Sequence, residues 1–117
     1  MSDATTWVFE TAILPGHEDA FHAVAKELIE KTRLEAGALG YEWYLSEDKT
    51  TCHVVERYRD SAAALDHLKT LAPFLESWMK TNRPIKLTIY GTPSDEVKSA
   101  LAALQPVYFS QVGGWRR

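Results

Sequence analysis

Two apolar segments flanking a short polar turn constrain this chain more than any other feature. They are Leu39-Gly40-Tyr41-Glu42-Trp43-Tyr44-Leu45-Ser46 and Cys52-His53-Val54-Val55-Glu56-Arg57-Tyr58. The connection Glu47-Asp48-Lys49-Thr50 is short enough for a hairpin. A symmetric turn pairs Tyr41 with Glu56, Trp43 with Val54, Leu45 with Cys52 and Leu39 with Tyr58. Side chains alternate across a strand, so these residues share one face, and a one-residue slip would turn them all to the other. That face is apolar except for Glu56. The opposite face carries Gly40, Glu42, Tyr44, Ser46, Thr51, His53, Val55 and Arg57 and is mixed.

The flanking segments extend the pattern. Trp7 to Leu14 is β-branched and aromatic and is stopped by Pro15-Gly16, which predicts a first strand. Glu18 and Asp19 suit a helix N-terminus, and Phe21, Val24, Ala25, Leu28 and Thr32 follow on one helical face, with an end expected near Gly37. After the hairpin, Asp60 or Ser61 caps another helix, which Pro73 must end or kink. Leu71, Phe74, Leu75 and Trp78 then predict a short second helix to about Lys80. Ile85 to Tyr90 alternates as a fourth strand ending at Gly91. Beyond it, a helix capped by Ser94 and a strand over Val107–Val112 form an extension. The order β-α-β-β-α-β, with a core over about 7–91 and an extension over about 92–117, predicts an α+β ferredoxin-like fold in one domain.

Two main helices can cover only one face of such a sheet. Tyr44, Val55 and apolar residues of the first and fourth strands would lie bare on the other. A second copy of the sheet is the simplest cover, so a homodimer is expected, with the extension able to reach the partner.

Composition narrows the function classes. The chain has 117 residues, 45% hydrophobic and 25% charged, with a formal charge of −3. This balance argues against nucleic-acid binding, which needs clustered Lys and Arg. Cys52 is the only cysteine, so no internal disulfide forms. No run is long enough to span a membrane and the start lacks signal-peptide character, so a cytoplasmic protein is expected. Nucleotide-binding glycine motifs, paired-cysteine or His-Glu-x-x-His metal signatures and a nucleophile elbow are all missing, so neither metal nor cofactor is expected.

The residues left for chemistry are few. Glu56, on an apolar face, is a candidate general acid or base, able to take a phenolic proton or to hold a histidine in one tautomer. A structural Glu56 would instead bond to Tyr41, a backbone amide or a nearby arginine. His67 is placed at the edge of an apolar helix stripe, facing a pocket rim, and histidine suits proton transfer near neutral pH; the alternative is a surface or helix-capping residue. Tyr41, Trp43, Phe74 and Trp78 are candidate pocket walls or simply core, with Trp78 on a short helix able to move as a lid. Arg57 shares the mixed face with Glu42, which points to an interface ion pair. His53 is the weaker histidine, and His17 and His22 are expected in solvent.

The layout, with Glu35-Ala36-Gly37-Ala38-Leu39-Gly40-Tyr41-Glu42, Val55-Glu56-Arg57-Tyr58 and Ala64-Leu65-Asp66-His67-Leu68, resembles the antibiotic biosynthesis monooxygenase family of dimeric α+β barrels, which includes quinol monooxygenase-like proteins. Ala36 stands where the family usually has proline. The tail from Tyr90-Gly91 to Gly113-Gly114-Trp115 is also similar to that of some members. The resemblance implies cofactor-independent oxygenation of a small aromatic quinol or polyphenol, whose hydroxyl would be ionised through His67 or Glu56. It also leaves open a non-catalytic ligand-binding role, isomerisation, or haem binding and degradation. The haem-degrading members use an Asn on the first strand, and residues 7–14 contain none.

Overall fold

The computed structural model describes residues 3–117. Its elements are β1 (Thr5–Ile13), α1 (Glu18–Arg33), β2 (Ala38–Leu45), β3 (Thr51–Tyr58), α2 (Ser61–Leu71), α3 (Leu75–Met79), β4 (Asn82–Tyr90), α4 (Asp95–Leu101) and β5 (Val107–Phe109). They form one sheet in the order β2-β3-β1-β4-β5. The first four strands pair antiparallel and β5 adds parallel to β4. The βαββαβ core is therefore ferredoxin-like, as the element order predicts.

The hairpin register follows from the pattern of its side chains. Tyr41 lies opposite Glu56, Trp43 opposite Val54 and Leu45 opposite Cys52. The turn is secured by Asp48, whose carboxylate accepts bonds from the Ser46 hydroxyl at 2.7 Å and the Thr50 hydroxyl at 2.8 Å. The expected pairing of Leu39 with Tyr58 does not form. A bulge between Ala38 and Gly40 gives Tyr58 to Ala38 instead, and Leu39 turns outward to 55% exposure. An extra residue in one strand shifts every side chain beyond it by one face.

All helices with a buried stripe pack on the face of the sheet that carries Trp7, Val54, Glu56, Tyr58, Leu87 and Ile89. α1 buries Phe21, Val24, Ala25, Leu28 and Thr32, the stripe read from the sequence, but it ends at Arg33, capped by Leu34, rather than near Gly37. Asp60 caps α2, its carboxylate accepting from the Ala63 amide at 2.8 Å. Pro73 lies in a 3₁₀ turn over Ala72–Phe74 that separates α2 from α3. The fourth strand starts earlier than Ile85, at Asn82, and accommodates Pro84 where the pairing with β1 becomes irregular between Glu10 and Thr11. The fifth strand is shorter than expected, ending at Phe109. The second face of the sheet stays uncovered and carries Tyr44, Tyr90 and Phe109, with Tyr90 and Phe109 stacked at 5.7 Å.

Gly37 fixes the distance between the α1–β2 loop and α2. It is buried, and a Cβ there would run into the Cβ of Ala63. The Arg59 amide donates to the Gly37 carbonyl at 2.9 Å, so the loop cannot simply back away. Gly37→Ala is expected to destabilise the fold by about 1–3 kcal/mol through overpacking, read as a lower midpoint in urea unfolding. A midpoint at or above that of the parent would show that the loop yields freely.

Candidate active site

Three side chains that are far apart in sequence meet beneath the sheet. Glu56 projects from β3 into the layer between sheet and helices, where its alternation with Val54 and Tyr58 sends it, and is 5% exposed. His67 comes down from α2, one turn beyond Ala63, and is 2% exposed. Glu35 comes from the loop after α1, its side chain 12% exposed. His67 lies between the two acids, with Nδ1 3.2 Å from Glu35 Oε2 and Nε2 3.4 Å from Glu56 Oε1. The Thr32 hydroxyl is 3.5 Å from the same Nδ1. Tyr58 donates its hydroxyl to Glu56 Oε1 at 2.6 Å. The imidazole is held between two phenol rings, Tyr41 and Tyr58, each 5.1 Å away centre to centre.

Burial dominates the electrostatics. Loss of water pushes the Glu56 carboxyl above the ordinary carboxylate range, although His67, Tyr58 and the Trp7 indole favour its charged form. Burial and then the nearby Glu56 likewise raise the phenols of Tyr41 and Tyr58, so both stay protonated at neutral pH. A carboxyl that holds its proton more firmly than usual, in reach of an imidazole, is the kind of environment in which a general acid or base is made.

The cluster opens onto an apolar cavity of about 90 Å³. Phe9, Leu28, Tyr41, Trp43, Val54, Leu71 and Trp78 form its walls, and Leu75, Met79, Pro84 and Leu104 complete the lining. His67 and Glu56 are the only ionisable groups in that lining apart from the Tyr41 phenol. Its volume is below the roughly 300–1,000 Å³ of a typical ligand pocket, so a ligand much larger than one ring would have to displace the half-exposed Leu75 and Met79.

Four of the expected site residues thus converge with their neighbours: His67, Glu56, Tyr41 and Trp43 all face this cavity. Trp78 also lines it. It is 5% exposed and stacked 5.5 Å from Phe9, and Thr81 bonds to its carbonyl. Phe74 does not line the cavity and packs against the core of Val24, Leu28 and Trp78. His67 is buried rather than at a rim. Within the chain Arg57 donates to the Thr6 hydroxyl at 3.0 Å and Glu42 accepts from the Tyr44 hydroxyl at 3.2 Å. His53 is exposed beside Glu10 at 3.5 Å. His17 and His22 are exposed, as expected. The sequence reading missed Glu35, Thr32 and Tyr58 as members of the cluster. Among the described residues no group of three or more His, Cys, Asp or Glu is arranged to hold a metal ion, and no helix is long and apolar enough to cross a membrane.

The model of the antibiotic biosynthesis monooxygenase family matches residues 6–74, well over half of the chain and all three acid–histidine positions. The chain belongs to that family. No curated protein matches it significantly. Among solved structures it is similar to MupZ from Pseudomonas fluorescens, at 25% identity over 100% of this chain and 91% of that one, with a TM-score of 0.90. Rv0793 from Mycobacterium tuberculosis is 24% identical over 79% of this chain and 96% of its own, with a TM-score of 0.68. SnoaB, described as a cofactor-independent oxygenase from Streptomyces nogalater, shares the fold at 12% identity over 80% of this chain and 96% of its own, also with a TM-score of 0.68. The family resemblance read from the sequence is correct, and the monooxygenase family frames the chemistry of the cluster.

The raised Glu56 carboxyl gives a pH test. A folded-state pKa above the unfolded one means that the neutral form stabilises the fold. That contribution is complete below the ordinary value of 4.5 and is lost as pH rises through the raised value. Glu56→Gln mimics the neutral acid and does not titrate. The melting temperature of the parent minus that of Glu56→Gln is expected to fall between pH 4 and pH 7, each tenfold preference for the proton being worth about 1.4 kcal/mol. A difference that grows with pH would mean that the fold prefers the carboxylate.

Proposed function

We propose that this protein is a cofactor-independent monooxygenase that oxidises a small electron-rich aromatic, a quinol or polyphenol, with O₂. The observation that carries this reading is the His67–Glu56 pair, 3.4 Å apart and cut off from water, at the wall of an aromatic cavity. A flat ring in that cavity would place a hydroxyl against the pair and lose its proton to His67. The phenolate is a far better electron donor than the phenol. It gives one electron to O₂, the two radicals combine to a ring hydroperoxide, and loss of water leaves a quinone. For a hydroquinone the balance is hydroquinone plus O₂ to hydroxyquinone plus water, all four electrons coming from the ring. Exclusion of solvent protects the radical pair. The description of SnoaB as a cofactor-independent oxygenase supports the same reaction class on this fold.

One observation favours a second reading. Glu56 already accepts a hydrogen bond from Tyr58, and His67 already has Glu35, so the acid–histidine pair is partnered without a substrate. Such a site could hold an apolar ligand without turning it over. An oxygen electrode separates the two readings. Hydroquinone-dependent O₂ uptake is expected in the parent and should fall about 10²–10⁴-fold in His67→Ala, the usual contribution of a general base. Uptake that is unchanged in His67→Ala removes this histidine from the mechanism. Tight ligands in a thermal-shift screen with no uptake at all would favour binding alone.

The proposed enzyme is a homodimer closed over the bare sheet face, where Tyr44 is 53% exposed, Tyr90 45% and Phe109 51%. An apolar patch of this kind is costly to leave in water, and a second copy presents the same patch by symmetry. Sedimentation equilibrium at micromolar concentration should give twice the chain mass. A well-folded single subunit at that concentration would overturn the assembly.

A further inference from the structure

We infer that Glu35 is the positioning residue of the site: it takes the Nδ1 proton of His67 and so leaves Nε2 as the atom that handles the substrate proton. His67 is approached from each element packed against it. Thr32 comes from α1, Glu35 from the following loop, Tyr41 from β2 and Glu56 with Tyr58 from β3. Only two of these groups reach Nδ1. Glu35 Oε2 lies at 3.2 Å and the Thr32 hydroxyl at 3.5 Å. A carboxylate oxygen pairs with a ring nitrogen by accepting its hydrogen, and the shorter of the two contacts assigns that hydrogen to Nδ1. A neutral imidazole with its hydrogen there has its lone pair on Nε2, the atom 3.4 Å from Glu56, and both residues line the cavity. The two acids then divide the work: Glu35 sets tautomer and ring orientation, and Glu56 stays free to exchange a proton with Nε2.

The backbone is built to bring Glu35 to this place. Ala63 and His67 stand one turn apart on the buried face of α2. Gly37 packs directly on Ala63, with no room for a Cβ. The loop is bonded at both ends, the Glu35 amide to the Thr32 carbonyl at 3.0 Å and the Ala38 amide to the Glu35 carbonyl at 3.2 Å. The close approach at Gly37 therefore sets the height at which the Glu35 carboxylate meets the imidazole one turn further on. Glu35 Oε1 is buried without a hydrogen-bond partner among the described residues.

The role is defined by the proposed proton transfer for its effect on rate, but the tautomer can be measured independently of any activity. Long-range proton–nitrogen correlation on ¹⁵N-histidine protein, with the His67 signals assigned by their loss in His67→Gln, should show hydrogen on Nδ1 in the parent. In Glu35→Met, which keeps volume and lacks the carboxylate, the hydrogen should move to Nε2. Glu35→Gln, which retains an acceptor oxygen, should keep it on Nδ1. In the oxygen-uptake assay Glu35→Met is expected to lower kcat on the order of 10- to 100-fold with little change in KM, the usual cost of losing an orienting partner, and Glu35→Gln to recover at least part of it. A parent spectrum with hydrogen on Nε2, a tautomer unmoved in Glu35→Met, or equal losses of kcat in both variants would overturn the assignment. The parent spectrum decides even if a variant does not fold. A parent with hydrogen on Nδ1 but no oxygen uptake would sink the oxygenase reading and leave Glu35 as the residue that fixes the tautomer.

Discussion

A carboxyl group inside an apolar sheet face is the constraint around which this molecule is arranged. Charging Glu56 away from water is expensive unless partners surround it, and an unpaired acid there would cost several kcal/mol. The strand places Glu56 beneath the helices because Val54 and Tyr58 must be there as core. Tyr58 then supplies a hydroxyl and α2 supplies an imidazole, each within 3.4 Å of the same oxygen. Meeting that need fixes where α2 lies across the sheet. The helix can lie so close only because Ala63, Ala64 and Gly37 are small at the crossing.

How much of this can be read from the residues depends on whether periodicity encodes it. The hairpin register, the inward face of Glu56 and the stripe of α1 all follow from alternation or helical spacing, and the structure bears them out. Features without a period were not legible. Glu35 lies in a loop, where no pattern states which way a side chain points, although Glu35-Ala36-Gly37 is part of the family resemblance. The bulge at Ala38–Gly40 leaves no strong mark because Gly40 suits a regular strand edge too. His67 looked peripheral because helix spacing alone measures distance from an apolar stripe. The acids that make its burial tolerable come from other elements.

The same difficulty explains the aromatic residues. Phe74 and Trp78 share a short stripe, yet Phe74 ends the 3₁₀ turn at Ala72–Phe74 and Trp78 lies inside α3. Trp78 faces Phe9 and the cavity while Phe74 packs outside it. The extension also proves to be more than an appendage. Its second helical turn brings Leu104 to the cavity lining, and Gln105, in a left-handed conformation with φ near 50°, reverses the chain so that β5 can run beside β4.

The irregular step at Ala38–Gly40 has a consequence for solubility in a crowded solution. β2 is the terminal strand on its side of the sheet, so its outer amides and carbonyls are free to recruit a stray strand. A strand carrying an extra residue coils more tightly and offers no straight row of donors and acceptors. The outward Glu42 adds charge along the same border. The kink that spoils a simple pairing rule thereby blunts a template for fibre growth.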